Sequence, residues 1–369
     1  MTNQEMYQLR LDRIKKAIKL EKPDKTPFVP VADSFYAKLA GVTLADFITS
    51  AEASHKAFMY GAQWLGDVEA VSFSYSGIGD FMGAFFFSKM KLPGRELGEN
   101  VLWQFDEQEL MSTEDYDTIL KGGFRAFAED FYVNRLHIDF EKLAPVFEVG
   151  PQYDQEMRDL GYPMYDNLNM TFPIDCLSGG RTMAKFMVDI RRMPEKIIEV
   201  LDIVVKANIE DMKNMAAAWV DPLDVWFSMG RACPDFYSTK IWEKFVWKYL
   251  KEEIEACIEI GIPANLHIDA NWERALPYFK ELPKGTCVFE TDGTTDIYKV
   301  KEVLGDKMCI KGDVQAAKLV LATAEDVYKY SCQLIKDMGP GFILSSGCSI
   351  PYNAKPENVK AMVAAASGK

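Results

Sequence analysis

Gly261-Ile262-Pro263-Ala264-Asn265-Leu266-His267-Ile268-Asp269 is the stretch whose reading decides the fold. The glycine ends a helical pattern, and an apolar run follows. The run stops at two polar residues, two positions apart. On a strand that spacing puts His267 and Asp269 on one face. A strand that follows a helix-ending glycine and ends in reactive side chains is the repeating unit of parallel α/β folds.

The same punctuation recurs on both sides of the stretch. Strands are predicted at 28–33, 69–74, 169–174, 223–228, 263–269, 286–290, 308–312 and 342–346. Between them lie helical patterns. Ser238 caps one whose Trp242, Phe245, Tyr249 and Ile254 form a stripe, and Thr323 with Asp326 makes a capping box for another. Pro194 and Pro356 each start a helix. Eight such units predict an α/β fold, a (β/α)8 TIM barrel with an N-terminal helical extension and long loops in the first half. A doubly wound open sheet is the alternative. The expected organisation is one barrel domain over 1–369, with the helix of residues 1–25 packed on it. Met6 to Lys22 reads as an amphipathic helix and Leu44 to Leu65 as another. Ser178-Gly179-Gly180-Arg181 reads as a helix start, and 139–166 as a polar, turn-rich excursion.

Composition narrows the partners. The chain has 369 residues, 48% of them hydrophobic, and a net charge of −13, which argues against nucleic acid or an anionic membrane as partner. No apolar run approaches the roughly 18 residues that span a bilayer. The seven cysteines show no C-x-x-C spacing and read as reduced thiols. A cytoplasmic protein with no membrane partner is expected. A homodimer is one expected assembly, which no residue pattern fixes.

In a barrel, chemistry gathers at the C-terminal ends of the strands. His267, Asp269, Glu290 and Cys348 all fall there and offer nitrogen, oxygen and sulfur donors. Two readings stand side by side: a metal site, or a hydrogen-bonded histidine beside a cysteine in a tight turn. The tetrapeptide alone decides nothing, because Leu136-His137-Ile138-Asp139 repeats it outside any strand context. Asp33, Phe73, Tyr75, Arg231, Trp272 and Asp313 also sit near strand ends and are candidates for holding a substrate. Asp313 reads equally as a cap, and the aromatics equally as core.

Several runs in the second half carry a resemblance. They are Trp242-Glu243-Lys244-Phe245, Leu266 to Trp272, Thr295 to Asp306, Lys311-Gly312-Asp313-Val314, Leu344 to Pro351 and Lys355-Pro356-Glu357-Asn358. Through them the chain resembles the uroporphyrinogen decarboxylase superfamily, whose members are (β/α)8 barrels. The decarboxylases themselves grip carboxylates with an N-terminal arginine motif. The corresponding Val31-Ala32-Asp33-Ser34-Phe35-Tyr36 has none. The other branch, the corrinoid-dependent methyltransferases, binds zinc through a His-x-Cys pair and a later Gly-Cys. Here His267 and Cys348 match, and Asp269 stands in place of the middle cysteine. Glu290 sits where related zinc methyltransferases supply a glutamate.

The resemblance thus implies Zn2+ held by His267, Asp269, Glu290 and Cys348, with Asp269 and Glu290 as catalytic carboxylates. It implies a corrinoid supplied by a partner protein, since no corrinoid-binding motif is visible. Replacing a thiolate by a carboxylate hardens the centre and favours oxygen chemistry over sulfur chemistry. The expected function is transfer of a methyl group from a methylated small molecule, first an aromatic methyl ether, to that corrinoid. The alternatives are transfer from methyl-corrinoid to a thiol or tetrahydrofolate, a metal-free decarboxylase of a small acid, and a non-catalytic binding protein.

Overall fold

Six parallel strands lie side by side in chain order: Leu168–Thr171, Val225–Met229, Ala264–Ile268, Cys287–Thr291, Cys309–Val314 and Phe342–Ser346. They come from a computed structural model that describes residues 1–166 and 168–369. The two remaining predicted strands are reduced to single parallel bridges, Phe28 with Leu344 and Val71 with Met164. These bridges close the ring. Val29 N donates to Leu344 O, Glu69 N to Phe28 O, and Tyr165 N to Val71 O. Pro27 and Pro30 explain the brevity of the first segment, because neither has an N–H to give to a ladder. The fold is a (β/α)8 barrel, as the punctuation predicts.

Alternation along the strands sorts the residues into two sets. Leu266, Ile268, Phe289 and Leu344 point outward and join the large core shared with the surrounding helices. The inward set is layered. At the bottom, Val29, Ala70, Leu223, Val288, Cys309 and Ile343 pack with Tyr7, Leu11, Ile14 and Ile18. The helix Asn3–Ile18 therefore plugs the N-terminal end of the barrel, fixed at its start by a Thr2–Glu5 capping box. Above that layer the interior turns polar: Ser72, Asp166, Asp224, Asn265, Glu290 and Lys311 are all buried. Register sets this height, with His267 opposite Glu290 and Glu290 opposite Lys311.

Four local expectations are corrected. The third strand is Leu168–Thr171, and residues 173–174 already belong to the helix Pro173–Arg181, which Pro173 starts. Ser178 to Arg181 is the end of that helix, not its beginning. The pattern from Leu44 to Leu65 is two helices, because Ser50 turns extended and caps the second through Ala53 N. The segment 139–166 holds a 20-residue helix, Phe140–Asp159, despite Pro145 and Pro151. Asp139 caps it through Lys142 N, and it buries Leu143, Gly150, Asp154 and Met157 at helical spacing. Gly150 lets this helix approach the barrel mouth, since a Cβ there would lie 2.5 Å from Tyr75 Oη. Among the described residues, no helix is long and apolar enough to cross a membrane.

Candidate active site

His267 is the last inward residue of its strand and is 5% exposed. Asp269 follows it, on a turn fastened from two sides. Asp292 Oδ2 accepts Ala270 N at 3.0 Å, and Thr295 Oγ1 links Ala270 O to Trp272 N. Trp272 Nε1 donates to Asp269 O at 2.9 Å. Cys348 arrives from the turn after the last strand, which comes close because Gly347 has no side chain. A Cβ there would lie 2.5 Å from Asp292 O.

These three residues meet around one ring nitrogen. His267 Nε2 lies 3.8 Å from Asp269 Oδ1 and 3.9 Å from Cys348 Sγ. One donor atom from each lies within 4.8 Å of the others. Nitrogen, carboxylate oxygen and sulfur suit zinc, and three protein donors leave a fourth position for a ligand. The site is therefore able to hold such an ion. Both Asp269 and Cys348 line the large cavity above the barrel, so the fourth position would be reached from there.

Glu290 is not in the triad. It lies behind the imidazole, with Oε1 3.4 Å from Nδ1, a charge contact longer than an ordinary hydrogen bond. Lys311 Nζ holds the same oxygen at 3.0 Å and reaches Asp166 Oδ2 at 3.3 Å. All four groups are buried. Burial opposes ionisation of Glu290, but Lys311 and His267 override it and hold the carboxyl at about 2. A carboxylate on Nδ1 orients the ring and leaves Nε2 free as a donor. Burial raises Asp166, while Lys311 opposes the rise. The neighbouring Asp175 is raised to about 7 by burial, although Arg231 N donates to it at 2.7 Å.

The cavity has a volume of about 490 Å³. Phe73, Tyr75, Phe85, Phe86, Trp103 and Trp226 are among its walls. Trp226 stands beside the triad, its ring centre 5.1 Å from that of His267. Asp33, Asp154 and Asp166 also face the cavity. Asp33 does so while capping the helix Ser34–Ala40.

Of the expected substrate residues, Asp33, Phe73 and Tyr75 line the cavity, and Trp272, Arg231 and Asp313 do not. Trp272 is wholly buried against Trp242 and Phe279, and holds the Asp269 turn from behind. Arg231 turns away to Glu107 and Ser178 O. Asp313 accepts the Tyr330 hydroxyl at 2.7 Å. His137 and Asp139 take no part in the site: Asp139 is a helix cap. Sequence reading missed Asp154, Asp166 and Lys311, and left Trp226 among the aromatics that read as core by default. The alternation Trp226–Ser228, Asn265–His267 and Cys309–Lys311 carried the signal for Trp226 and Lys311, hidden inside runs that read as apolar. Of the seven thiols, Cys332 and Cys348 are partly exposed and the other five are buried.

The family model described as "Uroporphyrinogen decarboxylase (URO-D)" matches residues 171–368, more than half of the chain. A solved methyltransferase from Methanosarcina mazei shares the fold, with a TM-score of 0.74 over 97% of this chain and 98% of that one, at 19% identity. No curated protein sequence matches the chain.

Proposed function

The chain belongs to the uroporphyrinogen decarboxylase family, and within it we propose that this protein is the methyltransferase component of a corrinoid-dependent demethylase. The observation that carries the reading is the His267–Asp269–Cys348 triad on the edge of an aromatic cavity. Decarboxylation of a polycarboxylate would need cations to grip it. Among the described residues, the cavity lining holds neither lysine nor arginine. The preferred donor is an aromatic methyl ether, whose flat ring suits walls such as Phe73, Tyr75 and Trp226.

In this reaction the methyl–oxygen bond breaks, and the methyl group passes to the reduced corrinoid of a separate protein. The oxygen keeps the bonding pair and takes up a proton. His267, Asp269 and Cys348 would hold zinc, and Glu290 would fix the His267 ring through Nδ1. Zinc held there would supply Lewis acidity, which would ease departure of the phenolate. The aromatic walls orient the ring and exclude water, which strengthens every charge interaction at the triad. The mouth carries Phe105, 48% exposed, and Phe147, 42% exposed, an apolar rim suited to a docking protein.

Purified protein, an aromatic methyl ether and reduced cobalamin as acceptor test this. Formation of the phenol and of methylcobalamin in equal amounts is expected. A metal-free protein that demethylates at the full rate sinks the zinc assignment. Asp269→Cys separates oxygen from sulfur chemistry. The exchange should lower ether cleavage, whereas a gain in methyl transfer to a thiol would favour the opposite direction.

A further inference from the structure

The cavity walls are acidic. Four aspartates face the cavity: Asp33, Asp154, Asp166 and Asp269. Among the described residues, no lysine or arginine lines it, and the basic side chain there is His267, whose far nitrogen faces the Glu290 carboxylate at 3.4 Å. Lys311 is wholly buried and held between Asp166 and Glu290, so it is not free to pair with a ligand. Zinc would add no surplus, because its two charges would meet the Cys348 thiolate and the Asp269 carboxylate. The aromatic walls are electron-rich on their faces and give an anion nothing in place of water.

The same walls are rich in acceptors. Asp154 is 5% exposed and commits one oxygen to the Ser74 hydroxyl at 2.5 Å. Asp33 commits one oxygen to Ser34 N at 2.6 Å. Each keeps a second oxygen as an acceptor for a ligand donor. Burial raises both carboxyls above their ordinary range, but protonation of either would still place no cation in the cavity. On the donor side, Trp226 Nε1 is a buried N–H without a protein partner, and it is neutral.

We infer that the methyl donor is a methoxyarene without a carboxylate, whose polar substituent is a hydroxyl donating to the cavity aspartates, and that the cavity discriminates against the same ring bearing a carboxylate. The inference rests on the methyl-ether reading of the site. It names which members of that class are taken.

Vanillyl alcohol and vanillate differ only in a hydroxymethyl group against a carboxylate, and they provide the test. Trp103, Trp219 and Trp226 line the cavity, so their fluorescence reports binding without any turnover. At neutral pH the alcohol should bind the purified protein at least about tenfold more tightly than vanillate. Asp154→Asn should narrow that ratio by improving vanillate, since an asparagine oxygen still accepts the Ser74 hydroxyl. Equal or tighter binding of vanillate overturns the inference. If vanillate is also demethylated, the methyl-ether reading stands without it. Tighter binding of trimethylphenylammonium than of either ring overturns the inference in favour of a cationic donor. Binding by neither ring, with no demethylation, overturns both.

Discussion

Replacing Lys311 by methionine strands two carboxylates in the barrel. Lys311 Nζ lies 3.0 Å from Glu290 and 3.3 Å from Asp166, with all three groups buried. At an effective dielectric of about 20, such contacts are worth roughly 5 kcal/mol each. Most of that offsets the desolvation of three ions, so the intact network adds little net stability. Removing only the cation leaves the desolvation uncompensated, at a cost of about 3–5 kcal/mol. A chain of 369 residues has an unfolding entropy of roughly 0.8 kcal/mol/K, so Tm should fall by about 4–6 °C. The stranded carboxyls will bind protons more tightly in the folded state than in the unfolded one. Their folded pKa is then raised, and stability is lost as pH rises above about 4. Denaturant titration at pH 5 and pH 8 should therefore show the larger deficit at pH 8. The triple variant Lys311→Met, Glu290→Gln, Asp166→Asn removes the stranded charges and should recover most of the loss. A single variant as stable as the parent, or a triple variant no better than the single, would refute the reasoning.

Three further outcomes are expected. Glu290→Gln should weaken zinc binding by about 10–100-fold through loss of the charge on His267 Nδ1, with a larger loss for Cys348→Ser; chelator competition reads both, and unchanged affinity in both removes the metal site. Trp226→Ala should cost ring-ligand affinity with little loss of fold, whereas Trp272→Ala should cost about 3–5 kcal/mol in denaturant unfolding; the reverse pattern would return Trp272 to the cavity. Asp175, raised by burial to about 7, contributes stability that is full below about 4 and lost as pH rises through 7, on the order of 4 kcal/mol in all. Asp175→Asn should flatten that slope, and an unchanged slope between pH 5 and pH 8 refutes the assignment.

The N-terminal and C-terminal halves differ in how much of them the sequence reveals. From Leu223 onward, glycines at helix ends and short apolar runs mark each unit, and the predicted strands fall within two residues of those observed. In the first half, strands made of prolines and single bridges leave almost no ladder to read. The helix Phe140–Asp159 was hidden by its two prolines, although its buried positions keep helical spacing.

By itself the sequence determined the barrel and pointed to four candidate donors at its mouth, His267, Asp269, Glu290 and Cys348, because strand ends and residue types are local properties. It also determined the oddity of Asp269, a carboxylate where the resembling pattern has a thiolate. Only the tertiary structure decided which donors meet. His267 and Glu290 lie at the same height in neighbouring strands, yet Glu290 approaches the far nitrogen of the ring. Arg231, Trp272 and Asp313 sit near strand ends in sequence and turn away in space. Position along a strand fixes height and face. The direction a side chain takes from there depends on which neighbours already hold its polar atoms, and those neighbours come from other strands.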